Sequence, residues 1–447
     1  MRAINLGLFL SLALILSFFP ASYIKAASSK EEIEELKKRM EELEREYRGK
    51  MEELMKRIEE LEGERAREEK EAWWKKVEVE YKKPGDGFKI KTKDGNFSLK
   101  TKLRTQVQFS VSDVEDEDTA TSLDIRRFRV YFEGNAFRPW LLYHFQLDGE
   151  GGNVRLRDAY FDGAYKTVYG QVFVPRVGQY KVPFNREELN SSSELQLVER
   201  SIVNEEFTFA RDRGIGVYGV LGNYITYGFG VFDGNGRNAS SVDSNLLYVG
   251  RVQFGCCGKL EYSGESFPSG GDFKIVPNFG KEGRALFTVG LAGLAFPGLN
   301  IERKTPDNDI ADRFSEIGTV EADVYGFSAD ANFKYGLFSV EGEYDFRRID
   351  PKEGGLLSVS DHGFRVQGGM FLVPEFFEVA GRFAYIDFDD DVSGRDSAWE
   401  VTPGISFYLS RSHKWKVQLS YSFIRDKDTD GVEIDENVFR TQLQLYF

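Results

Sequence analysis

Basic side chains recur at alternate positions in two stretches: Lys100, Lys102 and Arg104 in the first, Arg127 and Arg129 in the second. Alternation is the period of a β-strand, so each set shares one face of its strand. If the two strands are neighbours, all five side chains stand on one wall. Fixed positive charges in a confined space attract and concentrate anions, and guanidinium groups fit oxyanions bidentately. The stretch from 176 to 213 adds Arg176, Lys181, Arg186, Arg200, Arg211 and Arg213. The plainer alternative is that these cations pair with acids and carry no ion. Glu341, Glu343 and Asp345 on one later alternating face, with Glu378 and Glu400 on others, supply the opposite sign. Facing rows of opposite charge create the transverse field of a weakly selective pore.

Covalent and metal chemistry find little support. His144, His362 and His413 are scattered, and Cys256 and Cys257 are adjacent, a spacing that closes a strained ring and cross-links almost nothing. Gly214-Ile215-Gly216-Val217-Tyr218-Gly219 matches a dinucleotide-binding spacing but lies in a strand pattern with no helix after it. Asp387-Phe388-Asp389-Asp390-Asp391 could hold a hard cation, and reads more simply as a solvated loop. The sequence is expected to need no cofactor, to bind no resident metal and to catalyse no reaction.

The elements that must position the charges are strands. The net charge of −14 argues against a nucleic-acid partner. After residue 19 no run of about 18 apolar residues could cross a membrane as a helix. Barrel strands escape that test because they alternate, and from Phe88 onward the sequence alternates with a period of two. Phe128, Val130 and Phe132 interleave with Arg127, Arg129, Tyr131 and Glu133; Phe439, Leu443, Leu445 and Phe447 share one face of the final stretch. About 16 such segments fit into 88–447, with no linker between them. A soluble sandwich would divide that length into several domains. The expected fold is therefore all-β, an antiparallel transmembrane barrel of about 16 strands whose Phe- and Tyr-rich outer face meets lipid.

Four regions are expected. Residues 1–26 read as a cleaved secretory signal, with Arg2, an apolar stretch from Ile4 to Phe19, and Ala26 at the cleavage point. Residues 28–72 are dominated by Glu, Lys and Arg. Ile33, Leu36, Met40, Leu43 and Tyr47 form an a/d seam that continues, after a phase skip near Gly49, through Met51, Leu54, Ile58 and Leu61. This predicts an oligomerising coiled coil about 65 Å long. Residues 73–87 form a linker and 88–447 the barrel. Ala136-Phe137-Arg138-Pro139 and Leu221-Gly222-Asn223 read as tight turns. Stretches 111–122, 233–244, 255–283, 296–319 and 386–397 read as outer loops, and 183–212 as a loop folded into the lumen.

Several motifs carry a family resemblance: Arg126-Arg127-Phe128-Arg129-Val130-Tyr131-Phe132-Glu133-Gly134, Leu156-Arg157-Asp158-Ala159-Tyr160, Gly178-Gln179-Tyr180-Lys181-Val182-Pro183-Phe184, Glu199-Arg200-Ser201 and Arg211-Asp212-Arg213-Gly214. In this order they resemble the phosphate-selective porin O and P family of Gram-negative bacteria. The resemblance implies a trimeric outer-membrane porin with an Arg- and Lys-lined channel for phosphate or related anions. The basic positions inside the matching stretches are Arg127, Arg129, Lys181, Arg200, Arg211 and Arg213, to which the alternation adds Lys100, Lys102 and Arg104. The expected partners are outer-membrane lipid, small inorganic anions and two further copies of the chain, with peptidoglycan contact through the helical rod. A general porin of weak selectivity, and an envelope tether in which the rod is the working part, are the competing readings.

Overall fold

The computed structural model describes residues 30–81, 86–149, 153–164, 173–222, 224–239, 244–256, 285–304, 306, 309–392 and 394–447. The expected signal segment 1–26 and Cys257 lie outside them. Two units are present, one ending at Lys76 and one spanning Val77–Phe447.

The first unit carries α1 (Lys30–Lys75), a helix of 46 residues. Its sequence lacks Pro, and good helix formers fill the turns between Gly49 and Gly63. Lys50 and Glu46 pair one turn apart at 2.7 Å. Every residue of the apolar seam, from Ile33 to Leu61, is exposed.

In the second unit, β1 (Val77–Glu80) falls inside the stretch expected to be linker, and pairs with β2 (Phe88–Thr92). The barrel follows in chain order: β3 (Ser98–Val114), β4 (Ala120–Asn135), β5 (Leu141–Asp148), β6 (Arg155–Gly163), β7 (Val174–Lys181), β8 (Arg211–Leu221), β9 (Ile225–Phe232) and β10 (Leu247–Cys256). The second half is β11 (Leu286–Asn300), β12 (Glu321–Tyr335), β13 (Phe338–Pro351), β14 (Val359–Val373), β15 (Phe377–Asp387), β16 (Arg395–Tyr408), β17 (Trp415–Asp428) and β18 (Glu433–Tyr446). Each strand pairs antiparallel with the next, and β18 pairs with β3 to close a 16-strand cylinder. The last closing bonds join Leu103 and Phe447, with N···O distances of 2.6 and 2.9 Å. Closure leaves no open edge along the barrel wall and excludes the sandwich reading. β2 occupies the edge of β3 that β18 does not reach.

Burial is inverted relative to a soluble protein. On β3 the polar side chains Arg104, Gln106 and Gln108 are buried, whereas Leu99 and Phe109 are exposed. The same holds on β14, where Asp361, Arg365 and Gln367 are buried and Phe364, Val366 and Met370 are exposed. An apolar exterior around a polar interior is the pattern of a barrel that sits in lipid.

The strands run further than the apolar alternation suggests. The connection expected over 111–122 is only 115–119, and that expected over 386–397 is only 388–394. The backbone ladder continues after the outward side chains turn polar, so hydropathy marks the lipid boundary and not the strand end. Most of 255–283 lies outside the described residues. The strands flanking it, β10 and β11, are joined at the end of the barrel that carries the short turns 336–337 and 374–376, opposite to the end expected.

Candidate functional site

The connection between β7 and β8, residues 182–210, folds inward and carries α2 (Arg186–Leu189) and α3 (Ile202–Phe207). Hydrogen bonds tie it to strands all round the lumen. Arg104 and Arg129 donate to Ser192 Oγ at 3.0 and 2.9 Å. Arg251 donates to the Phe184 carbonyl at 2.9 Å and Lys416 to the Leu195 carbonyl at 2.9 Å. Arg347 holds Glu206 at 2.6 Å, and Arg382 reaches the Glu199 and Arg200 carbonyls at 2.9 and 3.0 Å. An irregular segment can be buried only if its backbone groups find partners, and these wall side chains supply them.

Four of the expected residues meet at one point. Arg129, Lys181, Arg200 and Arg211, together with Arg157, line a cavity of about 20 Å³ in which Asp158 is the only carboxylate among the described residues. Such a cavity has room for roughly one water-sized group. Ser191 and Ser192 add hydroxyls. Arg211 binds Asp158 at 3.0 Å and Glu188 at 3.3 Å, and Arg200 also reaches Glu188 at 3.3 Å. Lys181 Nζ donates to the carbonyls of Glu188, Leu189 and Asn190 at 2.6, 3.2 and 3.0 Å. Burial by itself would raise the Glu188 carboxyl, but Arg200, Lys181 and Arg211 prevail and hold it down to about 2.

The other expected residues stand at graded distances from this point. Arg104 is adjacent, through its bond to Ser192. Arg127 binds Glu199 of the internal segment at 2.8 Å. Lys100 and Lys102 share Glu133, at 3.3 and 2.7 Å, nearer the short-turn end. Arg213 is not brought to the cluster. It shares the outer face of β8 with Ile215, which is 68% exposed, and binds Asp233 at 2.7 Å.

Two cations of the lumen break the period-two rule. Opposite the step from Gln106 to Val107 the partner strand carries an extra residue, Arg126; opposite the step from Gln146 to Leu147 it carries Arg157. Each is a β-bulge, and a bulge lets two successive side chains face the same way. Arg126 therefore joins Arg127 on Glu199, 2.8 Å away, and Arg157 joins Arg129 on Asp148, at 3.3 and 2.8 Å. The adjacent charges Arg126-Arg127 and Arg157-Asp158 in otherwise alternating strands are the signal that points to them.

The acidic residues expected opposite do lie on strands of the other half, but not as an open row. Glu341 and Glu343 each bind Arg365 at 2.8 Å, Glu400 binds Arg382 at 2.5 Å, and Glu378 accepts from Tyr408 at 2.5 Å. Arg365 and Arg382 lie one strand away from their acids, and this pairing mutes the transverse field. Asp389, Asp390 and Asp391 come within 4.8 Å of one another, yet Asp389 already accepts from the Ser360 amide at 2.7 Å.

Larger spaces lie on either side of the internal segment. One of about 370 Å³ reaches the long-loop halves of β3 and β4 through Ser110, Ser112 and Asp124. The other, about 310 Å³, reaches their short-turn ends through Ser98, Lys100 and Asn135.

A closed 16-strand cylinder with an apolar exterior, a charged bore and a connection folded into its middle defines a porin of the outer membrane. A sequence profile of the family "phosphate-selective porin O and P" matches residues 99–271 and 280–447, and the chain belongs to that family. A protein of Aquifex aeolicus (strain VF5), described as uncharacterized, is 25% identical over 390 residues, 78% of this chain and 87% of that one. The outer membrane channel DcaP of Acinetobacter baumannii is similar in fold, with a TM-score of 0.51 at 10% identity over 80% of this chain and 99% of that one. Salmonella typhi OmpF gives 0.49 at 12% identity, over 79% and 99%.

Proposed function

We propose that this porin passes small inorganic anions, phosphate among them, in preference to cations. The observation that carries the reading is the cluster at mid-lumen, where five cationic side chains and one carboxylate surround a single small cavity. An anion crossing there exchanges water for guanidinium, ammonium and hydroxyl donors, which offsets its desolvation. Planar-bilayer recording in a potassium chloride gradient tests it, followed by titration with phosphate. Anion-signed reversal potentials and a chloride current that phosphate reduces support the reading. A cation-signed potential below neutral pH overturns it. A weakly selective general porin is the second reading, favoured by the number of lumen cations already paired with acids.

In this reading residues 1–26 are a signal removed on export, and the chain is a homotrimer. The exposed seam of α1 favours association, because its nine apolar side chains, from Ile33 to Leu61, are left without partners. The rod belongs on the periplasmic side, where it would approach peptidoglycan. If it serves mainly as a tether, deleting residues 28–72 abolishes envelope attachment and leaves conductance intact.

A further inference from the structure

The outer chamber, the 370 Å³ space that opens toward the long-loop end, is lined by four arginines and five carboxylates. Most of them are committed to one another. Arg126 binds Glu199 at 2.8 Å, Arg382 binds Glu400 at 2.5 Å, and Arg200 is held by Glu188 and by the carbonyls of Glu187 and Asn190. Glu436 accepts from Ser112 at 3.0 Å, and among the described residues Arg440 donates only to Ser422, at 3.2 Å. Two carboxylates are different, Asp124 on β4 and Glu205 on α3: neither makes a side-chain hydrogen bond or ion pair with any other described residue. Of the two, Glu205 stands on the internal segment that crosses the lumen, exposed to the chamber.

Building on the porin reading, we infer that Glu205 sets the ion preference of the outer chamber: as a carboxylate it leaves the lining one negative charge in excess and favours cations, and as a carboxylic acid it brings the lining to balance and admits anions to the mid-lumen cluster. The charged groups that face Glu205 are few on each element. The internal segment presents Glu199 and Arg200, β4 presents Asp124 and Arg126, and β15 and β16 present Arg382 and Glu400. From β18 come Glu436 and Arg440, and Asp309 precedes the helix Ile310–Ile317. Enclosure by the barrel raises the Glu205 carboxyl first, the like charges of Glu199, Asp309 and Glu400 raise it further, and Arg440 opposes them weakly, leaving it at about 7. The exchange between the two forms therefore falls near neutrality.

The test is the reversal potential of the full-length protein in planar bilayers under a potassium chloride gradient, at about pH 5.5 and about pH 8.5, on either side of this titration. The anion-to-cation permeability ratio is expected to fall about two- to threefold between the two, the combined effect on anions and cations of a unit charge acting through water across roughly 8 Å with salt screening about halving its field. Glu205→Gln is expected to hold the low-pH ratio at both values, and Glu205→Asp to restore the pH dependence. A Glu205→Gln barrel that folds and keeps the wild-type dependence overturns the assignment, as does a wild type with none. The sign of the ratio at low pH reports separately on the anion reading: a cation-selective pore whose ratio still responds through Glu205 removes that reading and leaves this one intact.

Discussion

Arg127 Nη2 on the barrel wall donates to Glu199 Oε2 on the internal segment at 2.8 Å, and the bulge in β4 brings Arg126 to the same carboxylate. Burial opposes the charge on Glu199, but Arg127 and Arg126 prevail and keep its carboxyl well below the usual range. A carboxyl lowered in the fold stabilises above its unfolded pKa and loses that contribution as pH falls through the lowered value. The clasp is therefore expected to hold throughout the mildly acidic range, down to about pH 4. Glu199→Gln strips two guanidiniums of their counter-charge. It should raise the anion-to-cation ratio about two- to threefold and lower the temperature at which the internal segment becomes susceptible to protease. An unchanged ratio would mean that these arginines do not face the permeating ions.

Arg211 and Arg213 are two residues apart and have opposite fates. Arg211 lies against the mid-lumen cavity, whereas Arg213 is on the outer face of β8. Arg211→Gln should lower the anion-to-cation ratio by about two- to threefold, with Asp158 and Glu188 left to repel anions. Arg213→Gln should leave the reversal potential where it was. Equal shifts in the two variants would show that the effect comes from general surface charge and not from the cluster.

For the rod, Leu36→Asp, Leu43→Asp and Leu54→Asp together interrupt the seam in three places. If that seam is buried between copies, each change costs about 2–5 kcal/mol of association, enough in combination to separate the copies. Native mass spectrometry of the detergent-solubilised protein reads this directly: a trimer in the wild type and a smaller species in the variant. Heat-modifiable electrophoretic mobility should show the barrel still closed. A trimer that persists in the variant assigns association to the barrel wall instead.

The barrel was legible in the sequence because one face of nearly every strand is apolar; Phe364, Val366 and Met370 against Asp361, Arg365 and Gln367 suffice to show why. What hydropathy could not mark was where strands end, since β3 and β4 remain paired beyond Phe109 and Leu123, where no lipid constrains the outward side chains. Parity explains the site residues in the same way. It sets Lys100, Lys102 and Arg104 on one face of their strand and Arg127 and Arg129 on one face of theirs, and it hides Arg126 and Arg157 because a bulge resets the count. Arg213 sits in a dense basic stretch and reads as a candidate for that reason, but it keeps the parity of Ile215 and so faces outward; it is Arg211, at the first position of β8, that departs from the alternation. Glu205 gave no signal, since its significance lies in what does not touch it, and that depends on how 182–210 folds across the lumen. The partners of Glu341, Glu343 and Glu400 were equally out of reach. Their arginines come from neighbouring strands, and only the register brings them together.

The most direct test of an anion-preferring lumen is a comparison of wild type with Lys181→Gln in planar bilayers, in a potassium chloride gradient below neutral pH. The wild type should reverse at a potential of anionic sign, and the variant should move toward zero. Wild-type reversal at a potential of cationic sign, or a variant that does not move, would contradict the account.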